Sequence, residues 1–304
     1  MGTSLRAAPI FLPRSGYDST GMRPQPVLLA ALLAAAFAAP ALGDDAADCA
    51  GSDPARLLAA CTRIIGSAGA PAPRVAEAYS KRGVQLALQG DYEKALADLG
   101  EAIRLDPKGA AESYHTRGRI YADQGRADAA IAEFDAAINA DPRHADALIS
   151  RGSLRFVAAR GADGKFNKRA VDAAMADLGK AIEVAPKYGE AYIARGGAYL
   201  ATSRLPQAVA DFDQAVKLEP GNANAYLNRA VALVFQKQFA RAEADFGQAA
   251  KLEPANPAVY QERAAAFLLQ GKRSEAIADY RKVLALDPSH AQARAALKRL
   301  GAAP

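Results

Sequence analysis

The side chains able to do chemistry are few and dispersed. The histidines are His115, His144 and His290, and none stands near another in sequence. No H-x-x-x-H or C-x-x-C pair occurs, the spacings that hold a metal from one helix or one turn. The phosphate-cradling and nucleophile motifs G-x-x-x-x-G-K-[ST], G-x-G-x-x-G and G-x-S-x-G are also absent. The carboxylates recur at a fixed period, so they need no catalytic explanation. The expectation is a chain that is not an enzyme, with no cofactor, no metal and no small-molecule substrate.

Cys49 and Cys61 are the only thiols. Twelve positions apart, without a C-x-x-C, they read as a structural disulfide rather than a redox pair. Asp53-Pro54 between them is a helix N-cap followed by Pro at the first helical position, which predicts a helix over 54–65. A bridge closing so small a loop contributes up to roughly 3 kcal/mol by chain entropy.

The arginines and acids are ordered by a repeat. Aligned on Pro107, Pro142, Pro186, Pro220, Pro254 and Pro288, the chain shows gaps of 35, 44, 34, 34 and 34 residues. A period of 34 suits two helices and a turn. A tiny residue recurs in the first helix: Gly83, Gly118, Gly152, Gly196, Ala230 and Ala264. Four residues earlier stand Tyr79, Tyr114, Leu148, Tyr192, Tyr226 and Tyr260. In the second helix Ala95, Ala130, Ala174, Ala208, Ala242 and Ala276 are each followed four residues on by Leu99, Phe134, Leu178, Phe212, Phe246 and Tyr280. Spacings of three and four put each set on one helical face. Tiny residues let helices approach closely and large ones fill the facing holes.

Arg precedes the tiny column in every unit: Arg82, Arg117, Arg151, Arg195, Arg229 and Arg263. An acid precedes the large residue of every second helix: Asp98, Glu133, Asp177, Asp211, Asp245 and Asp279. The pattern predicts a ladder of Arg–carboxylate bridges within a unit or to its neighbour. A row of anion-binding arginines is the alternative.

These columns resemble the tetratricopeptide repeat in six consecutive units: 76–109, 111–144, 145–188, 189–222, 223–256 and 257–290. The resemblance implies an all-α, right-handed superhelical solenoid of helix–turn–helix units, with 291–304 as a capping helix and tail. Two departures stand out: no unit begins with Trp, and Arg155 occupies an apolar column. The third unit carries ten extra residues near 161–170, between its two helices. They read as a surface loop or a longer helix pair, with Phe166 among Lys165, Lys168 and Arg169 as the alternative contact point.

In this family the first helices line a groove that binds peptides or helices of partner proteins. The Lys and Asn that hold a terminal carboxylate in its chaperone-tail binders are missing from the first two groove columns. The later units offer an apolar groove instead: Ile193, Leu200, Leu227, Val231, Val234, Phe235 and Leu268.

Residues 27–39 form an apolar run of 13, short of the roughly 20 that span a bilayer. With Arg23 before it and Ala41-Leu42-Gly43 after it, the run reads as a signal peptide. Residues 1–43 are thus an N-terminal extension and signal, with Met22 as the start and cleavage after Gly43. The arm 44–75 holds the cysteine pair. Retention of the run would make the protein a membrane-anchored adaptor.

The charge of +5 comes from 38 bases against 33 acids. Without 1–43, which hold Arg6, Arg14 and Arg23 against Asp18, it falls to +3 over 261 residues. Bases interleaved with acids exclude the basic stripe that nucleic acid requires. The 76 alanines, a quarter of the chain, are largely the small columns of close-packed helices. The reading is a periplasmic or secreted scaffold binding a protein or peptide, or alternatively a self-associating structural solenoid.

Overall fold

The computed structural model describes residues 45–303, and the expected signal segment lies outside them. The described chain is all helix apart from one isolated bridge. Two short helices come first, α1 (Asp45–Cys49) and α2 (Pro54–Gly66). Asp53 caps α2 by accepting from the amides of Ala55 and Arg56. A disulfide joins Cys49 to Cys61, and both sulfurs are buried beside Ala60, Ile64 and Ala78.

Helix pairs follow: α3 (Ala72–Leu88) with α4 (Tyr92–Leu105), and α5 (Ala111–Asp123) with α6 (Ala127–Ala140). Then come α7 (Ala145–Ala158) and α8 (Lys168–Val184) in succession, and α9 (Gly189–Ala201) paired with α10 (Leu205–Leu218). The last are α11 (Ala223–Phe235) with α12 (Phe239–Leu252), and α13 (Pro257–Leu269) with α14 (Arg273–Leu286). The chain forms two compact units that divide inside α7, at 154/155. At the end, α15 (Ala291–Arg299) lays Ala293, Ala296 and Leu297 against Tyr260, Tyr280 and Val283.

Within each pair the small column meets the large one. A Cβ on Gly83 would lie 2.9 Å from Leu99 Cγ, one on Gly118 2.6 Å from Phe134 Cε1, and one on Gly196 2.7 Å from Phe212 Cε1. Leu99, Phe134, Leu178, Phe212 and Phe246 are at most 1% exposed. The turn between the helices then needs one left-handed residue. Gly90, Gly125 and Gly271 supply it with φ of 80°, 73° and 74°, while Ser203 and Lys237 occupy the same position at 59°.

The insertion in the third pair is both a loop and a helix extension. Gly161 donates to the Lys165 carbonyl and Asn167 to that of Ala159, each at 2.8 Å, closing a small bridged turn. Asn167 caps α8, which begins at Lys168 and runs 17 residues. The ring of Phe166 stacks on the buried Phe156 at 5.0 Å, so it supports the turn.

Two substitutions test this packing. Gly196→Val drives a branched side chain into the Phe212 ring and should cost about 1–3 kcal/mol of unfolding free energy in urea. Lys237→Gly relieves a left-handed conformation that costs an L-residue ~1–2 kcal/mol. It loses part of that to unfolded-state entropy, so stability should rise by up to about 1 kcal/mol in the same assay.

Candidate functional site

Each predicted Arg sits three residues after an aromatic or Leu and one before the tiny residue, which aims it across the pair. Arg82 grips Asp98 through two bonds of 2.6 and 2.8 Å. Arg195 does the same to Asp211 at 2.8 Å twice, and Arg263 to Asp279 at 2.7 Å twice. Arg229 holds Asp245 at 2.7 Å twice and also reaches back to Asp213 at 2.8 Å. In the enlarged third unit Arg151 meets Asp135 at 2.6 Å, and Arg155 meets Asp177 at 2.9 Å. The departure at Arg155 is therefore a bridge to the buried acid. Asp98, Asp177, Asp211, Asp245 and Asp279 are only 6–7% exposed. The guanidinium groups of Arg82, Arg117, Arg229 and Arg263 also lie 5.5–5.7 Å from the rings of Tyr79, Tyr114, Tyr226 and Tyr260. These arginines are structural partners, not a row open to anions.

The exception is Arg117, whose acid is Glu133. One contact forms at 2.9 Å, while Arg117 Nε and Glu133 Oε2 are buried without partners. The longer side chain overshoots the fork that aspartate matches.

The predicted groove residues divide into two groups. Ile193 and Leu227 are 2% exposed and belong to the packing, Ile193 against Ala215 and Ala225, Leu227 in the cluster of Phe212, Leu233 and Phe246. They do not line an accessible groove, because α9, α11 and α13 lie side by side and cover them. Leu200, Val231 and Val234 are half-buried against the same cluster. Phe235 and Leu268 are exposed, at 43% and 38%. Beyond the expected set, Val157 and Leu269 are 50% and 49% exposed. Val157, Phe235 and Leu269 share one repeat position, five after the tiny column, at the ends of α7, α11 and α13. On α13 the helical period puts Glu262, Ala265 and Leu269 in one stripe. Burial pushes the Glu262 carboxyl up.

In the unit 45–154 that repeat position holds the exposed Leu88 and Asp123, and α5 with the entry to α7 brings together polar residues that sequence spacing keeps apart. Glu112 and His115 lie one turn apart on α5, and His144 stands at the entry to α7. His144 Nε2 is 3.2 Å from Glu112 Oε2, and His115 Nδ1 is 3.8 Å from Oε1. His144 Nδ1 accepts the Ala147 amide at 3.2 Å. Thr116 donates to Glu112 Oε1 at 3.1 Å. Partial burial works to raise the Glu112 carboxyl, but the neighbouring imidazoles of His115 and His144 outweigh it and hold the group below the usual carboxylate range. Burial opposes protonation of His144 too, and Glu112 overcomes it, raising that imidazole.

Family models of the tetratricopeptide repeat match residues 76–108, 111–144, 160–223, 193–257 and 257–290. No curated protein matches the chain in sequence. Similar solved structures include the Cut9–Hcn1 hetero-tetramer of the APC/C, with a TM-score of 0.69 and 16% identity over 82% of this chain. The match spans only 46% of that chain. PilF of Pseudomonas aeruginosa matches at a TM-score of 0.62 and 17% identity, over 75% of this chain and 99% of its own. The type IV pilus biogenesis factor PilW matches at 0.63 and 18%, over 73% and 98%. At these identities the likeness is one of fold.

Glu133→Asp should convert the single contact with Arg117 into the fork found in the other units. Satisfying two buried polar atoms predicts a gain of about 1 kcal/mol in urea unfolding. An unchanged or lower midpoint would show that Glu133 is already well accommodated.

Proposed function

We propose that this chain, which belongs to the tetratricopeptide-repeat family, is a scaffold of the bacterial cell envelope that seats a segment of a partner protein on its first helices. Repeats of this family are protein–protein interaction scaffolds, generally without catalytic activity. The observation that carries the finer reading is the apolar face of the unit 155–303. There Val157, Phe235, Leu268 and Leu269 are exposed beside the half-buried Leu200, Val231 and Val234. Water-exposed apolar side chains gathered on one face mark a docking surface. An apolar strip beside the desolvated Glu262 suits an apolar segment carrying a basic residue.

The envelope location is supported by the apolar run 27–39 with its small-residue cleavage site, and by the disulfide, which persists in oxidising compartments. Among the described residues no helix is long and apolar enough to cross a membrane.

Phe235→Asp with Leu269→Asp should abolish capture of the partner from a periplasmic extract while circular dichroism stays helical. The buried Leu227 is left untouched, because a charge there would disrupt the core. Capture that survives the double substitution would refute the docking face. Light scattering showing a concentration-dependent oligomer, lost in the same variant, would assign the face to self-association instead.

A further inference from the structure

We propose that Glu112, His115 and His144 form a zinc-binding site in the unit 45–154, independent of the apolar face. Two imidazoles and a carboxylate are a zinc donor set. One ligand atom from each lies within 4.8 Å of the others. A tetrahedral zinc with bonds of about 2.0–2.1 Å holds its ligand atoms about 3.3 Å apart. His144 Nε2 lies 3.2 Å from Glu112 Oε2 and His115 Nδ1 3.8 Å from the other oxygen, Oε1, so a small turn of the carboxylate brings both imidazoles onto one ion.

His115 is the group that most needs a cation. It is 5% exposed, and its Nδ1 is buried without a hydrogen-bond partner. Its Nε2 lies 3.1 Å from Ser150 Oγ. With Nε2–H donating to that hydroxyl, Nδ1 presents a lone pair toward the Glu112 carboxylate. Two electron-rich atoms then face each other, and a cation between them satisfies both. Ser150 is the outer partner that fixes ring orientation in metal-ligating histidines.

Glu112 and His115 share a helix face as Glu-x-x-His, the (i, i+3) spacing by which helices project metal ligands. The Glu112 side chain is 55% exposed and borders a cleft with Leu88, Tyr92 and Thr116, which gives the ion a route in and leaves a position for water. Ligation has one cost. His144 Nδ1 accepts the Ala147 amide, so binding through Nε2 moves the proton to Nδ1 and gives up that cap. Affinity should therefore be micromolar rather than that of a closed four-ligand site.

The test is calorimetric titration of the tag-free full chain with Zn²⁺, and visible absorption after loading with Co²⁺. We expect one ion per chain, and Co²⁺ bands of four- or five-coordinate nitrogen–oxygen ligation. Glu112→Gln and His144→Gln should each weaken Zn²⁺ at least tenfold with far-ultraviolet dichroism unchanged. His290→Gln is the control: His290 caps α15 through Nδ1 as His144 caps α7, but lies outside the trio, so binding should persist. No uptake by the wild-type chain, purely octahedral Co²⁺ bands, or undiminished binding in both site variants would overturn the proposal. The Co²⁺ spectrum of the wild-type chain decides the matter even where a variant misfolds.

Discussion

The separation of the two helices in each pair is set by a tiny residue, glycine or alanine, facing a large one. At Gly83, Gly118 and Gly196 a Cβ would enter the space of Leu99, Phe134 or Phe212. That proximity brings the residue before each tiny one within reach of the residue before each large side chain. The Arg–Asp forks exist because the helices are this close. A guanidinium desolvated against a Tyr ring, gripping an aspartate 6–7% exposed, is stable only where the fork closes fully. Arg117 and Glu133 show what happens when the reach is one methylene too long.

Features that depend on contacts within one period were legible in the sequence. The tiny–large columns, the Pro punctuation and the Arg–acid pairing repeat because each pair solves the same packing problem, and repetition separates signal from chance. The disulfide pairing was likewise forced by there being two cysteines. Features that depend on how successive pairs lie against each other were harder to read. Ile193 and Leu227 occupy groove columns by periodicity, yet the neighbouring first helices bury them. Their β-branched or branched bulk simply continues the core outward. Glu112 and His144 are 32 residues apart, nearly one repeat, and stacking turns that distance into direct contact. A search for histidines close in sequence cannot find them, whereas a search at one period can.

The two units present different chemistry on equivalent helix positions. In 155–303 the first helices end in Phe235 and Leu269, with Asn228 and Glu262 as polar points among small side chains. In 45–154 the position of Phe235 and Leu269 holds Leu88 and Asp123, that of Asn228 and Glu262 holds Lys81 and Thr116, and Glu112 and His115 stand nearer the start of α5. One backbone solution thus carries different outward chemistry from repeat to repeat, with a ligand-rich cluster on α5 and at the entry to α7. The small and large packing columns stay nearly constant while the outward columns vary, because only the former are constrained by helix approach.

Arg229 gives the array a property that no single pair has. Its guanidinium donates forward to Asp245 on α12 and backward to Asp213 on α10, so one cation is shared between consecutive pairs. Opening α9 and α10 alone would take Asp213 from Arg229, and opening α11 and α12 would leave the half-exposed Asp213 without its arginine. The free energy of adjoining pairs is coupled through that charge, as in a chain of nearest-neighbour spins. Such a chain frays from its ends and resists melting at an interior link.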